Sequence, residues 1–126
     1  MLEELVEVIC DTNFLRHLAT KRIKNLDSIE LDMGSLTFLV PNVVFKELEK
    51  LQNSMTKKED IRKTLDFIKK FKRIPINGVY ADKEILDYVK SKKSFVGTMD
   101  KYLKKKIKAC GSNIISLHND NLILES

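Results

Sequence analysis

Cysteine is scarce in this chain. Only Cys10 and Cys110 occur, and they form no C-x-x-C pair. That argues against a thiolate zinc site and against a disulfide framework, in keeping with a reducing cytoplasm. Histidine is equally sparse. His17 and His118 each lack a second His or Cys at ligand spacing. No apolar run approaches the roughly 20 residues that a membrane helix needs. The N-terminus carries Glu3, Glu4 and Glu7 where a signal peptide would carry positive charge. No internal repeat and no low-complexity linker divides the sequence. The expectation is one cytoplasmic domain over residues 1–126, a size ordinary for a single core.

Charge, by contrast, is plentiful. Charged residues make up 33% of the chain, above the roughly 25% of ordinary globular proteins. Lys and Arg outnumber Asp and Glu by 23 to 18, a net charge of +5. Such a balance favours anionic partners, nucleic acid first and acidic protein segments second.

Apolar patterning alternates between strand and helix. Leu5 to Cys10 and Leu36 to Val40 read as strands, as do Ser94 to Thr98 and Asn113 to Leu117. Arg73 to Ile76 reads as a short edge strand, because Pro75 cannot donate in a central ladder. Leu122 to Leu124 suits a further short strand. Helical spacing marks Val43 to Gln52 and Glu59 to Phe71, with a polar loop between them from Asn53 to Lys58. Helices also follow Asp11, Asp82 and Asp100, the last with Tyr102, Leu103 and Ile107 apolar among surrounding lysines. Gly111 stops that helix. Ile23 to Asp32 fits either a short helix or a loop. Strands alternating with helices imply parallel β-α-β units with right-handed crossovers.

Four acids stand where this alternation matters: Asp11, Glu47, Asp82 and Asp100. In an open α/β sheet the carboxyl ends of the strands share one edge, where ligands bind. Acids on separate segments can meet there. Converged carboxylates repel one another and call for a counter-charge, most simply a divalent metal. An acidic pocket on a basic body suits metal-dependent attack on a phosphodiester. Each acid also has a plainer reading. Asp11, Asp82 and Asp100 precede helices and suit N-caps. Glu47 lies within a helix on the side of Val43, Val44 and Leu51, where a charge is costly unless paired. Its plain partner would be Lys46 or Lys50.

Asn13 and Thr98 are supporting polar candidates beside these acids. Lys101, Lys104, Lys105, Lys106 and Lys108 form a basic helix after Asp100, suited to RNA phosphates or simply to solvent. Lys57, Lys58, Lys92 and Lys93 would extend that surface. Asp87 follows Asp82 by more than one helical turn and reads as solvated, and Asp60, Asp66 and Asp120 have no local context that favours a site.

The ordered phrases D-T-N-F-L, V-P-N-V-V-F-K-E-L-E-K-L, A-D-K-E-I and V-G-T-M-D-K-Y-L together resemble the PIN domain. The resemblance covers nearly the whole chain. It implies a three-layer α/β/α fold around a central, mostly parallel sheet. It also implies a ribonuclease dependent on Mg²⁺ or Mn²⁺, whose catalytic and metal-binding acids are Asp11, Glu47, Asp82 and Asp100. Many members carry Asn just before the last acid, where this chain has Met99. Two branches are similar to it: the ribosomal RNA-processing type, with ribosome-assembly partners, and VapC-type toxins with their antitoxin. Homodimers are frequent in the family. Two other classes stay open from the residues alone. One is a non-catalytic RNA- or protein-binding module using the lysine surface. The other is a phospho-acceptor receiver, against which the solitary Asp11 after the first strand argues.

Overall fold

The computed structural model describes residues 5–53 and 58–125. Glu3, Glu4, Lys57 and most of the loop expected between Asn53 and Lys58 lie outside the described residues. In chain order the elements are β1 (Leu5–Cys10), α1 (Thr12–Thr20), α2 (Leu26–Met33), β2 (Ser35–Pro41), α3 (Asn42–Gln52) and α4 (Lys58–Ile68). Then follow β3 (Lys72–Ile74), α5 (Ala81–Ser91), β4 (Phe95–Gly97), α6 (Lys101–Ala109), β5 (Asn113–His118) and β6 (Asn121–Glu125).

These strands form one sheet in the order β3-β2-β1-β4-β5-β6. β1 pairs in parallel with both β2 and β4, so it is the central strand. Its second half, Val8, Ile9 and Cys10, is buried on both faces. That is why β1 reads as an apolar run rather than an alternation. The chain first steps outward from β1 through β2 to β3. It then crosses to the other side of β1 and steps outward again through β4 and β5. Right-handed crossovers therefore put α1 to α4 on one face and α5 and α6 on the other. The packing agrees: α1 and α3 rest on α4, and α5 rests on α6. The result is a three-layer α/β/α sandwich.

β6 is the one antiparallel strand. Asn119 and Asp120 join it to β5, both with positive φ (50° and 63°). A two-residue turn with both φ positive matches strand twist, and Asn and Asp tolerate that conformation best after Gly. The side chain of Asn25 covers the outer edge of β6. It donates to Leu122 O at 2.8 Å and accepts from Leu122 N at 2.7 Å, which blocks pairing with another strand.

Two expectations resolve differently. The stretch from Ile23 to Asp32 is helical from Leu26 onward. Ile29 is its one buried residue, and Glu30 accepts from Leu36 N at 2.7 Å, so tertiary contacts decide what a weak pattern left open. Tyr102 does not share the apolar side of α6. It is 81% exposed, whereas Leu103 and Ile107, four apart, are buried. Adjacent helical residues point about 100° apart, and on α6 that turn leaves Tyr102 in solvent while Leu103 faces inward.

At the centre of the sheet β4 touches α1. A Cβ on Gly97 would lie 2.7 Å from carbons of the fully buried Phe14 ring. Gly97 is needed there for close approach rather than for an unusual φ. Gly97→Ala is expected to lower stability by about 1–3 kcal/mol, read as a lower urea midpoint at unchanged slope. An unchanged midpoint would mean that the ring moves aside freely.

Candidate active site

The switch in strand order falls between β1 and β4, and a crevice opens there at the carboxyl ends of the strands. Asp11 stands at its base. Its backbone N–H donates to Gly97 O at 3.0 Å, which ties the end of β1 to β4. Its side chain caps α1: Phe14 N–H donates to Oδ1 at 2.9 Å. The Thr98 hydroxyl donates to the other oxygen. Thr98 in turn accepts from the backbone N–H of Asp100 at 3.1 Å. Asp100 caps α6, with Leu103 N–H donating to Oδ1 at 2.9 Å. One buried threonine thus links the two capping acids.

Asp82 differs from the expected cap. It is the second residue of α5, after the N-cap Tyr80, and its side chain caps nothing. Glu47 lies half-buried on α3. Among the described residues it pairs with neither Lys46 nor Lys50, so its plain reading has no partner. Asp11, Glu47, Asp82 and Asp100 all line one cavity of about 570 Å³, with Asn13 exposed at its rim and Met99 on its wall. Thr98 lies beneath, fully buried. None of the four acids forms an ion pair among the described residues. No three of the described acidic, histidine or cysteine side chains are gathered tightly enough to hold an ion directly.

A family model described as a PIN-like domain matches residues 8–120. This chain belongs to the PIN-domain family. The solved structure of the PIN domain endonuclease Utp24 is similar, with a TM-score of 0.78 and 30% sequence identity. The likeness covers 94% of this chain and 90% of that one. No curated protein matches.

The cavity of this PIN domain holds residues that sequence reasoning passed over. Thr12, Arg16 and Thr20 recur every fourth residue along α1, beside Asn13 and His17, and all five line the cavity. The signal was a polar stripe at helical spacing, opposite the buried Phe14, Leu15 and Leu18. Asp60 reaches the same wall from α4, and no local pattern announces it. His17 Nε2 lies 2.8 Å from Asp120 Oδ1, tying α1 to the β5–β6 turn. Thr12 is buried, and its hydroxyl has no hydrogen-bond partner among the described residues. A buried hydroxyl left unsatisfied is costly, so a polar ligand at this wall would relieve it.

The lysines divide. Lys104 and Lys108 bind Glu125 on β6, at 2.7 and 3.1 Å, and Ser116 donates to the same carboxylate. These bonds hold the Glu125 carboxyl down at about 2. Lys101, Lys105 and Lys106 are exposed on α6 without an ion pair among the described residues. Lys58 opens α4. Lys92 and Lys93 precede β4, beside the start of β1, at the amino ends of the strands. They are therefore on the edge opposite the acids and do not extend the α6 surface.

Burial is the main force on Asp11, raising its carboxyl from 3.8 to about 6. The Thr98 and Phe14 hydrogen bonds oppose that, while Asp82 and Asp100 add to it. Burial also raises Asp82, helped by Asp100 and Glu47 and opposed by Lys106. For Asp11 the folded state holds its proton more tightly than the unfolded chain does. Its contribution to stability is therefore full below pH 3.8 and is lost as pH rises through about 6. Ionised Asp11 costs the metal-free protein about 2–3 kcal/mol. Asp11→Asn keeps an acceptor for Phe14 N–H and removes the charge. With EDTA present, the variant is expected to gain thermal stability over wild type as pH rises from 4 to 7. A difference constant over that range in melting scans would contradict this account.

Proposed function

We propose that this PIN domain is a divalent-metal-dependent endoribonuclease whose catalytic acids are Asp11, Glu47, Asp82 and Asp100. The observation that carries the reading is the meeting of four carboxylates, unpaired by any described cation, in one cavity at the strand-order switch. Family membership and the likeness to an endonuclease support nucleic-acid hydrolysis in general. RNA and the metal requirement are the finer parts of the proposal.

The residues present fit a hard divalent ion. Carboxylates are the oxygen donors that Mg²⁺ and Mn²⁺ prefer. Burial, with the neighbouring acids adding to it, raises the carboxyls of Asp11 and Asp82, and a bound cation would offset both. The spread of the acids suits an ion that keeps several waters of its own, as Mg²⁺ does. When bound, such an ion supplies an activated water and stabilises charge on the attacking and leaving oxygens.

The chain's own part is positioning. Asp11 and Asp100 are held in place by their cap bonds and by Thr98. Glu47 and Asp82, free of cap bonds, are left to adjust around them. Water adds to phosphorus as the bond to the 3′-oxygen breaks and that oxygen takes a proton. The products are a 5′-phosphate and a 3′-hydroxyl. Among the family's branches, the phrases D-T-N-F-L and V-V-F-K-E-L-E-K-L are most similar to the ribosomal RNA-processing type, and we assign this chain that role.

The test is cleavage of labelled single-stranded and structured RNA with Mn²⁺, with Mg²⁺ and with EDTA. Wild type should cut only with metal. Asp11→Asn and Asp100→Asn should each lose roughly 100-fold or more in rate. Full activity in Asp11→Asn would sink the assignment. Binding without cleavage in every lane would make the chain a binding module instead.

A further inference from the structure

Beside the acidic cavity lies a second cleft, of about 440 Å³, between the first turns of α5 and α6. Asp82 and Asp100 line both, so the two are continuous. The floor of the second is apolar, made by Leu86 and Leu103. Its walls carry Tyr80 and Tyr102, which are 70% and 81% exposed. Each tyrosine sits two residues from an acid of the cavity, Tyr80 before Asp82 and Tyr102 after Asp100. Lys106 lies one helical turn beyond Tyr102 on the same face and closes the cleft.

Tyrosines this exposed gain little in stability for the folded chain. Flat aromatic faces beside a cationic side chain do suit a nucleobase and its phosphate. The cleft's volume is at the small end of the ~300–1,000 Å³ typical of small-ligand sites. Lys106 is also spared from structural duty. Its neighbours Lys104 and Lys108 are bound to Glu125, whereas Lys106 has no ion pair among the described residues. It is near enough to Asp82 to steady that carboxylate.

We propose that this cleft is a nucleotide subsite. It holds one unpaired nucleotide of the RNA next to the scissile phosphate, its base against Tyr80 and Tyr102 and its phosphate on Lys106. The inference rests on the nuclease reading above and names the side chains that would receive a base. A base inside a duplex has both faces covered by its neighbours and cannot lie against a side chain.

The chain has no tryptophan, so Tyr102→Trp creates a single fluorescent reporter that preserves an aromatic face. The probe is a single-stranded oligoribonucleotide, compared with a duplex of the same sequence, both in EDTA so that no cleavage intervenes. Single-stranded RNA should quench the reporter and duplex should not. Tyr80→Ala and Tyr102→Ala should each weaken single-strand binding roughly 10-fold while leaving duplex binding unchanged. Tyr102→Trp should retain wild-type affinity. Circular dichroism of each variant confirms folding, which such exposed positions should not disturb. Equal quenching by duplex, or no quenching by either RNA, overturns the subsite. Metal-dependent cleavage that persists without quenching sinks the subsite alone. Quenching by single strand without cleavage under any metal sinks the nuclease reading alone.

Discussion

The carboxylate of Asp11 has both oxygens engaged before any ligand arrives, one by the Phe14 N–H and one by the Thr98 hydroxyl. It is also nearly inaccessible, with 6% of the residue exposed, and no cation pairs with it among the described residues. A fold that kept only its most stable arrangement would not hold a charge there. The position follows from topology. β1 is central, the chain leaves it in two opposite directions, and the residue that ends it faces the resulting crevice. Start of helix, end of strand and base of cavity fall on the same side chain. The positive ends of three helices, α1, α5 and α6, meet around it and soften the repulsion among the acids. Burial still raises the carboxyls of Asp11 and Asp82, and the neighbouring acids add to it.

The net charge of +5 indicates an anionic partner without saying where it binds. On α6 the lysines look interchangeable in sequence, yet the fold assigns them to different tasks. β6 turns back antiparallel and brings Glu125 beneath Lys104 and Lys108. Those two hold the last strand against the helix and have little left for a phosphate. Lys106, on the other side, faces the acids. A basic run is thus partly mortar and partly surface, and the division depends on a strand some twenty residues downstream.

Much of the architecture was legible because it rests on local signals. Apolar runs bounded by Asp11, Pro41 and Asp100 mark β1, β2 and the turn into α6. The same phrases carried the resemblance to the family. Less legible was whatever depended on distant neighbours. Leu26 to Met33 is helical because Ile29 reaches the core. Tyr102 looked apolar because tyrosine and leucine adjoin in sequence, although a helix turns them apart. Lys92 and Lys93 looked like part of a basic surface until the direction of β4 put them on the far edge. Asp60 arrives from a helix whose own pattern is an ordinary solvated face. His17 found its partner in Asp120, more than a hundred positions away in sequence.

Capping and catalysis are often weighed as rival explanations for an acid at the start of a helix. Here they are divided among the four. Asp11 and Asp100 cap their helices and are joined through Thr98. Glu47 and Asp82 cap nothing. Cap bonds cost an acid some of its freedom but not its remaining lone pairs, since each carboxylate oxygen accepts twice. In the proposed site a capped acid would be a pre-set ligand, with its rotamer fixed by the backbone it binds. The uncapped pair would keep the freedom to close on a charge that changes position during the proposed reaction. Two fixed and two adaptable carboxylates give a site that is ordered without being rigid. In this reading the cap is how the fold aims the acid, and it does not compete with the acid's function.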